Sequence, residues 1–600
     1  MQDNVVAPLV PPTIEGNLAL TVVRNAVEQP QKVVFARRAG AGWADVTAAQ
    51  FKRDVDALAR GFIASGIAVG DRVGLMSRTR YEWTLVDYAL WSAGAVTVPI
   101  YETSSPDQVA WILQDSGARG VVVETPAHAE AVAGVRGQVP ALERVWLLDD
   151  GAVAALGAQG KSVSPDGLEA RRGSTDRTSL ATVIYTSGTT GRPKGCELTH
   201  GNFKDLAENA VGRLGEVVDS EGASTLLFLP LAHVFARFVQ VLCVEAAVRM
   251  GHSADIKTLL PDLATFRPTF ILAVPRVFEK VYNSAEQHAT GDGKGAIFAK
   301  AADTAIAWSK AQDTGGPSLL LRATHTVFDA LVYRRLRAAL GGQVQYAVSG
   351  GAPLGTRLGH FFRGVGITVL EGYGLTETTA PATVNTPDRV KIGTVGQPLP
   401  GVGVRIGEDG EVLIKGINVF TRYHDNPRAT AEVMRDGWFH TGDLGELDDD
   451  GFLRITGRKK EIIVTAGGKN VAPAALEDRL RAHPLISQCM VVGDGKPFIA
   501  ALVTLDEEML PAWAKNHGKP GLTMDAARHD ADVAAEIDGA VAQANKAVSK
   551  AESIRKYVII PGDFTEDSGH LTPSLKLRRN IVMRDFDDEV EGLYRAARSD

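Results

Sequence analysis

The sequence predicts an α/β protein: a large composite N-terminal region of mixed sheets and helices, followed by a smaller α+β region. Two observations support the first part. Short β-branched or aliphatic runs recur up to about residue 374, and helix-length stretches lie between many of them. A third observation sets off the remainder, because from about residue 400 the pattern changes to strands joined by tight turns.

The runs RVGLM (72–76), GVVVE (120–124), RVWLL (144–148), ATVIYT (181–186), TLLFLP (225–230), FILAVP (270–275), QYAVSG (345–350) and ITVLEGYG (367–374) read as strands, being short and mostly apolar. AAQFKRDVDALARGFIASG (48–66) represents the helices between them. Several runs end in Gly, Ser, Thr or Pro, and strand ends are where open α/β sheets bind ligands. Residues 279–340 are Ala-rich and predict two or three helices. The last, over 326–340, would gather Phe328, Leu331, Val332, Leu336 and Leu340 on one face, with Arg334, Arg335 and Arg337 outside it. Such a helix can bury its apolar face in a core or lie on an anionic membrane, and ordinary helix patterning favours the core. Further on, GVRIGEDGEVLIKG (403–416) and DLGELDDDGFLRITGRKKEIIV (443–464) read as strand pairs, the second turning at Asp450-Gly451.

Hydrophobic residues at 45% and charged residues at 22% exclude a disordered or fibrous chain. A net charge of −7 argues against a nucleic-acid partner, which needs a basic surface. Cys196, Cys243 and Cys489 cannot build a disulfide framework, so a reducing, cytoplasmic setting is expected. The N-terminal stretch lacks the pattern of a secretory or transit peptide, and no apolar run is long enough for a membrane span. Oligomeric state leaves no readable mark.

The densest chemical signal is TSGTTGRPKG (186–195), directly after the strand-like ATVIY. Its glycines let backbone N–H groups converge on an anion, its hydroxyls can donate to phosphate oxygens, and Arg192 and Lys194 supply positive charge. The spacing fails G-x-x-x-x-G-K-[ST], so this is not a Walker loop. Taken alone, the composition fits a phosphate loop and a plain surface turn equally.

Together with the segments around it, the loop resembles the phosphate loop of the adenylate-forming superfamily, which includes acyl-CoA synthetases, peptide-synthetase adenylation domains and luciferases. AGAVTVPIY (93–101), LPLAHVFAR (229–237), SGGAPL (349–354), EGYGLTETT (371–379), GEVLIKGINVFTRYHDNP (410–427), WFHTGDLG (438–445), GRKKEIIVTAGGKNVAP (457–473) and LTPSLK (571–576) are similar to further family motifs, in family order and over nearly the whole chain. The resemblance implies that a carboxylate attacks the α-phosphate of ATP with Mg²⁺ present, that pyrophosphate leaves, and that coenzyme A takes the acyl group from the adenylate. It assigns ATP binding to Thr186, Ser187, Gly188, Thr189, Thr190, Gly191 and Lys194; to Gly350, Gly351 and Ala352; to Glu371, Gly372, Gly374 and Tyr373, whose ring would stack on adenine; and to Asp443 and Arg458 at the ribose.

The same resemblance gives Glu377 and Thr189 to the magnesium ion, Thr376 to the α-phosphate, and Gly467, Gly468 and Lys469 to coenzyme A. Lys576 would place a cation between two mutually repelling anions, the carboxylate and the α-phosphate. His233 reads equally as a core histidine and as the family's histidine beside the carboxylate. Leu575 stands directly before the lysine, where many members carry glycine. Cys196 reads as structural, since no nucleophile elbow surrounds it. Glu446, Asp448 and Asp450 imitate the start of a calcium loop, but Gly457 stands where its closing glutamate would be.

LPLAHVFAR, VPRVFEKVY (274–282) and the helical insert resemble the long-chain fatty acyl-CoA synthetases most. That implies a long-chain fatty acid–CoA ligase. An acyl-AMP ligase, a medium-chain or aryl-CoA ligase and a silent nucleotide- or lipid-binding homologue are the alternatives; no insertion of the acyl-AMP ligase kind interrupts TGRKKEIIVTAGGKN. The resemblance further implies an N-terminal domain over 1–456, a hinge at 457–461 and a mobile C-terminal lid over 462–600. It makes a fatty acid the partner and a peripheral position at the inner face of a membrane a natural accompaniment.

Overall fold

The structure, a computed structural model, describes residues 2–186, 192–255, 258–572 and 575–595. Every run read as a strand forms one, and the helix over Ala48–Ala64 starts with a capping box between Thr47 and Gln50. The largest sheet has seven strands in the order Arg422–Tyr423, Lys194–Thr199, Leu180–Thr186, Val96–Ile100, Arg72–Met76, Gly120–Val123 and Arg144–Leu147. The last five run parallel, and their central members are apolar on both faces because helices cover both. Lys194–Thr199 returns antiparallel to Leu180–Thr186, so the stem of the 186–195 loop is a hairpin.

A second sheet orders Phe270–Ala273, Tyr346–Ser349 and Thr368–Leu375 in parallel, then adds Ala380–Val384 and Gln397–Pro398 antiparallel. Its parallel strands run into SGGA and EGYG. A four-stranded sheet packs beside it, and a six-stranded sheet contains the hairpin of Trp438–Leu447 with Leu453–Arg458, turning through Gly451 at φ +78°. Lys391 bridges Asp448 (2.6 Å) and Asp450 (3.2 Å), which places a lysine amine where a calcium loop would need its ion.

From Ile463 onward the chain forms a separate apolar core around Ile486–Val492, Ile499–Leu505 and Ile554–Ile559, with helices over Pro473–Arg481 and Ala531–Asn545. It meets the first part through ion pairs from the helix Pro275–Gly291: Arg276 to Asp506 (2.6 Å) and Lys280 to Glu508 (2.7 Å).

The insert departs from expectation. It has helices over Pro275–Gly291, Gly295–Gln312 and Leu319–Phe328, then a π-helical turn at Asp329–Tyr333 and a short helix Arg334–Ala339. The wider turn rotates everything after it, so Tyr333 replaces Leu331 on the inner face, where its hydroxyl donates to the Ala301 carbonyl at 2.7 Å. Phe328, Leu336 and Leu340 are buried as expected, but Leu331 is 54% exposed. Leu319, Leu320 and Val327 join it in solvent at 84%, 78% and 56%. Arg337, placed outside by the sequence pattern, is tied to the Val365 carbonyl (2.6 Å) and to Asp329 (2.7 Å).

The insert docks on the helix Thr356–Val365 at a glycine. A Cβ on Gly364 would stand 2.0 Å from the Ala305 carbonyl oxygen. Gly364→Ala therefore forces the two helices apart, and thermal unfolding should report a loss of about 1–3 kcal/mol.

Candidate active site

Site side chains come from strand ends of two sheets, from the hairpin at 438–458 and from the C-terminal part. Asp443 and Arg458 face each other across that hairpin, because its register pairs them. Arg458 Nε donates to Asp443 Oδ1 at 2.8 Å and the Tyr373 hydroxyl donates to Oδ2 at 2.7 Å. Burial, then the adjacent Asp443, raises the Tyr373 phenol, so it remains a donor. Both carboxylate oxygens of buried Asp443 are thus oriented, and each keeps lone-pair capacity for a further donor.

Glu377 lies in the short 3-10 turn Thr376–Thr378, followed by two residues with positive φ, Thr379 (+53°) and Ala380 (+75°). That tight backbone is anchored by Phe420 N–H donating to the Glu377 carbonyl at 2.8 Å. The Tyr423 hydroxyl donates to Glu377 Oε1 at 2.7 Å, and Lys194 Nζ stands 5.0 Å from the centre of the Tyr423 ring. The stem of the 186–195 loop is braced by Trp111, whose Nε1 donates to the Pro193 carbonyl (2.9 Å) and whose ring lies 4.7 Å under the Arg192 guanidinium. Thr186 and Lys194 pair across the stem. Ser187, Gly188, Thr189, Thr190 and Gly191 lie outside the described residues.

His233 caps the helix Val234–Glu245, its Nδ1 accepting the Phe235 N–H at 3.2 Å. Burial brings its pKa down to about 3, with the charge of Lys576 adding to the shift. The imidazole is therefore neutral near pH 7, and with Nδ1 accepting, its proton sits on Nε2.

Lys576 is carried by a tight hairpin in which Leu571 bridges Leu577 and Thr572 N–H donates to the Lys576 carbonyl at 2.8 Å. Leu575 adopts φ +59°, a conformation glycine takes freely and leucine only at a cost of roughly 1–2 kcal/mol. The lysine reaches water yet is crowded by the cleft. That crowding, and next the Arg458 cation, lower its pKa from the usual lysine value, while Asp443 and Glu377 pull the other way. The structure thus gathers Lys576, Arg458, Asp443, Tyr373, Glu377 and His233 into one neighbourhood.

Four observations bear on the expected site residues. Gly374 serves a close crossing of strands, because a Cβ there would lie 1.5 Å from the Ala380 carbonyl oxygen; at Gly372 the nearest atom is the Thr383 carbonyl oxygen at 3.0 Å. Glu371 is buried with Oε2 accepting the Leu354 N–H at 3.1 Å, which ties it to the segment just after Gly350-Gly351-Ala352. Burial raises its carboxyl to about 7. Tyr373 is pinned by its hydroxyl to Asp443 in addition to any face it offers a base. Gly467, Gly468 and Lys469 form an exposed turn on the C-terminal part, where Lys469 pairs with Glu552 (3.3 Å), and no described bond joins that turn to the gathered cluster. Cys196 is buried, and burial raises its thiol far above the nucleophilic range. Tyr423 and Trp111 were missed by sequence reasoning; Tyr423 lies within the motif at 410–427 and Trp111 outside every motif, and nothing in their spacing signals whom they touch.

Mg²⁺ binds through one or two carboxylates plus substrate phosphates and water. Glu377 fits, because the Tyr423 hydroxyl orients one oxygen and the other has no hydrogen-bond partner among the described residues. Tyr423→Phe should raise the magnesium concentration needed for half-maximal pyrophosphate exchange several-fold, with little change in thermal stability.

Residues 22–424 match the sequence profile of an AMP-binding enzyme, and residues 460–598 match that of an AMP-binding enzyme C-terminal domain. The chain is 53% identical over 582 residues to the long-chain-fatty-acid–CoA ligase FadD15 of Mycobacterium tuberculosis, covering 96% of this chain and 97% of that protein. It is 32% identical to the long-chain-fatty-acid–CoA ligase 6 of Rattus norvegicus over 87% of this chain and 78% of that one. In fold it is similar to an anthranilate CoA ligase, AuaEII, in complex with anthranoyl-AMP, with TM-score 0.73, 18% identity and 98% of each chain covered. It is also similar in fold to a fatty acyl CoA synthetase of Mycobacterium tuberculosis, with TM-score 0.61, 22% identity, and 96% of this chain and 99% of that one covered.

Proposed function

The chain belongs to the AMP-binding enzyme family, and from that premise we propose that it ligates a long-chain fatty acid to coenzyme A at the expense of ATP. The observation that carries this reading is the convergence of Lys576 from the C-terminal part with Arg458, Asp443, Glu377 and His233 from the first.

A carboxylate oxygen of the fatty acid attacks the α-phosphorus of ATP, the bond to the β-phosphate breaks, and pyrophosphate carries away the electron pair. Two anions must meet, so the main task is charge compensation and alignment. Lys576 supplies a cation at the meeting point, Thr376 a hydroxyl for the α-phosphate, and neutral His233 an Nε2–H for the carboxylate. Asp443 accepts from the ribose hydroxyls while Tyr373 and Arg458 hold it in place. Lys194 and the 187–191 segment take the outer phosphates. Magnesium, held by Glu377 and the phosphates when bound, would neutralise charge on the departing pyrophosphate. In the second step the thiol sulfur of coenzyme A attacks the acyl carbonyl carbon, loses its proton, and AMP departs.

The C-terminal part rotates between these steps about a hinge at 457–461, withdrawing Lys576 and presenting Gly467, Gly468 and Lys469. The Arg276–Asp506 and Lys280–Glu508 pairs belong to the adenylating orientation. Lys576→Ala should lower fatty-acid-dependent pyrophosphate exchange by about 10²–10³-fold. It should still convert supplied acyl-adenylate to thioester; equal loss of both steps would contradict the rotation, and exchange with aryl or amino acids alone would contradict the substrate.

The insert is the surface for a membrane, where a sparingly soluble substrate resides. Leu320, Val327 and Leu331 form an exposed stripe, and Arg322 and Arg335 beside it have no acid partner among the described residues. Its basic character is opposite to the net charge of −7 for the whole chain. Leu320→Glu with Leu331→Glu should weaken co-sedimentation with phosphatidylglycerol vesicles several-fold and leave turnover of a soluble short-chain acid unchanged.

A further inference from the structure

Beneath the site lies a polar network that the reaction scheme does not use. Arg237 and Asp87 are both fully buried, and Arg237 donates to Asp87 through Nε (3.0 Å) and Nη2 (2.5 Å). Asp87 also accepts from the Thr97 hydroxyl (2.7 Å) and Gln240 Nε2 (3.1 Å). The remaining guanidinium arm, Nη1, donates to the Thr182 hydroxyl at 2.5 Å, and that hydroxyl donates onward to the Thr97 carbonyl at 2.6 Å. Trp83, Trp91 and Phe203 enclose the guanidinium at 5.2–5.8 Å.

The position of this network matters more than its burial. Arg237 stands one turn below His233, and its N–H donates to the His233 carbonyl at 3.2 Å. Thr182 stands four residues, about 13 Å, before Thr186 on the same face of the strand that opens the 186–195 loop. The single Arg237–Thr182 bond therefore joins the helix carrying the histidine to the strand carrying the phosphate-loop stem.

We propose that Arg237 is a positioning residue that sets the spacing between His233 and the phosphate-loop stem, through its bond to Thr182. This rests on the adenylation reading above. The bond affects only the step in which the fatty carboxylate and the outer phosphates of ATP must both be aligned. Once pyrophosphate has left, the stem no longer bears on the reaction.

Thr182→Val is nearly isosteric and leaves the buried ion pair whole. It should lower fatty-acid-dependent pyrophosphate exchange about tenfold, since small misplacements are costly in aligned sites. Conversion of supplied acyl-adenylate to thioester should stay within about twofold, and Thr182→Ser should restore exchange. In a double-mutant cycle, Thr182→Val should add little on top of His233→Ala, as expected for groups that act as a unit. Effects that multiply, or equal loss in both half-reactions, would overturn the proposal. Should Thr182→Val not fold, Thr182→Ala is read by the same cycle. If the unaltered protein lacks fatty-acid-dependent exchange, the adenylation reading itself fails; if it has exchange and the cycle multiplies, only the positioning role does.

Discussion

The buried pair of Asp87 and Arg237 is the constraint on which the rest of the N-terminal part depends. Two opposite charges without solvent access are tolerated only because nearly every hydrogen-bonding direction around them is filled. Removing one partner from such a pair costs about 3–5 kcal/mol, because the other charge is stranded. The groups that satisfy it come from the helix Tyr81–Ser92, the strand Val96–Ile100, the strand Leu180–Thr186 and the helix Val234–Glu245. One ion pair thus orders four elements, two of which end in site residues.

The site above it follows a different logic. Its residues range from the buried Asp443 to the exposed Lys576 and come from distant segments. Arg458 and Asp443 pair within one hairpin and are fixed. Lys576 arrives from a separately cored unit and joins them with no described direct bond, so its charge is felt through the cleft. The ion pairs Arg276–Asp506, with Asp506 buried, and Lys280–Glu508, which is exposed, join the two parts, and an exposed pair such as the second contributes only about 0–1 kcal/mol.

Much of this was legible along the chain. Strand runs survived because burial on both faces imposes continuous apolar sequence, and the Asp450-Gly451 hairpin because a left-handed turn needs glycine. Asp443, Arg458, Glu377 and Lys576 were legible as motif residues, and all four meet in space. The insert was read less well. Its apolar spacing assumed an unbroken helix, whereas the π-turn at Asp329–Tyr333 moved Leu331 outward and Tyr333 inward. Gly372 and Gly374 were legible as motif glycines, but not that at Gly374 the crossing strand leaves no room for a Cβ. Local pattern carries no record of which backbone approaches from elsewhere.

The sequence by itself determined the element types, the order of the motifs and the chemical class of the site, because each rests on residue identity over a few neighbouring positions. Only the tertiary structure decided that Tyr423 orients Glu377, that Trp111 braces the loop stem, that His233 is neutral, and that Arg237 reaches Thr182. The physical reason is common to all four. Hydrogen-bond geometry and burial depend on atoms brought together across long stretches of chain, and those distances exist only once the sheets have packed.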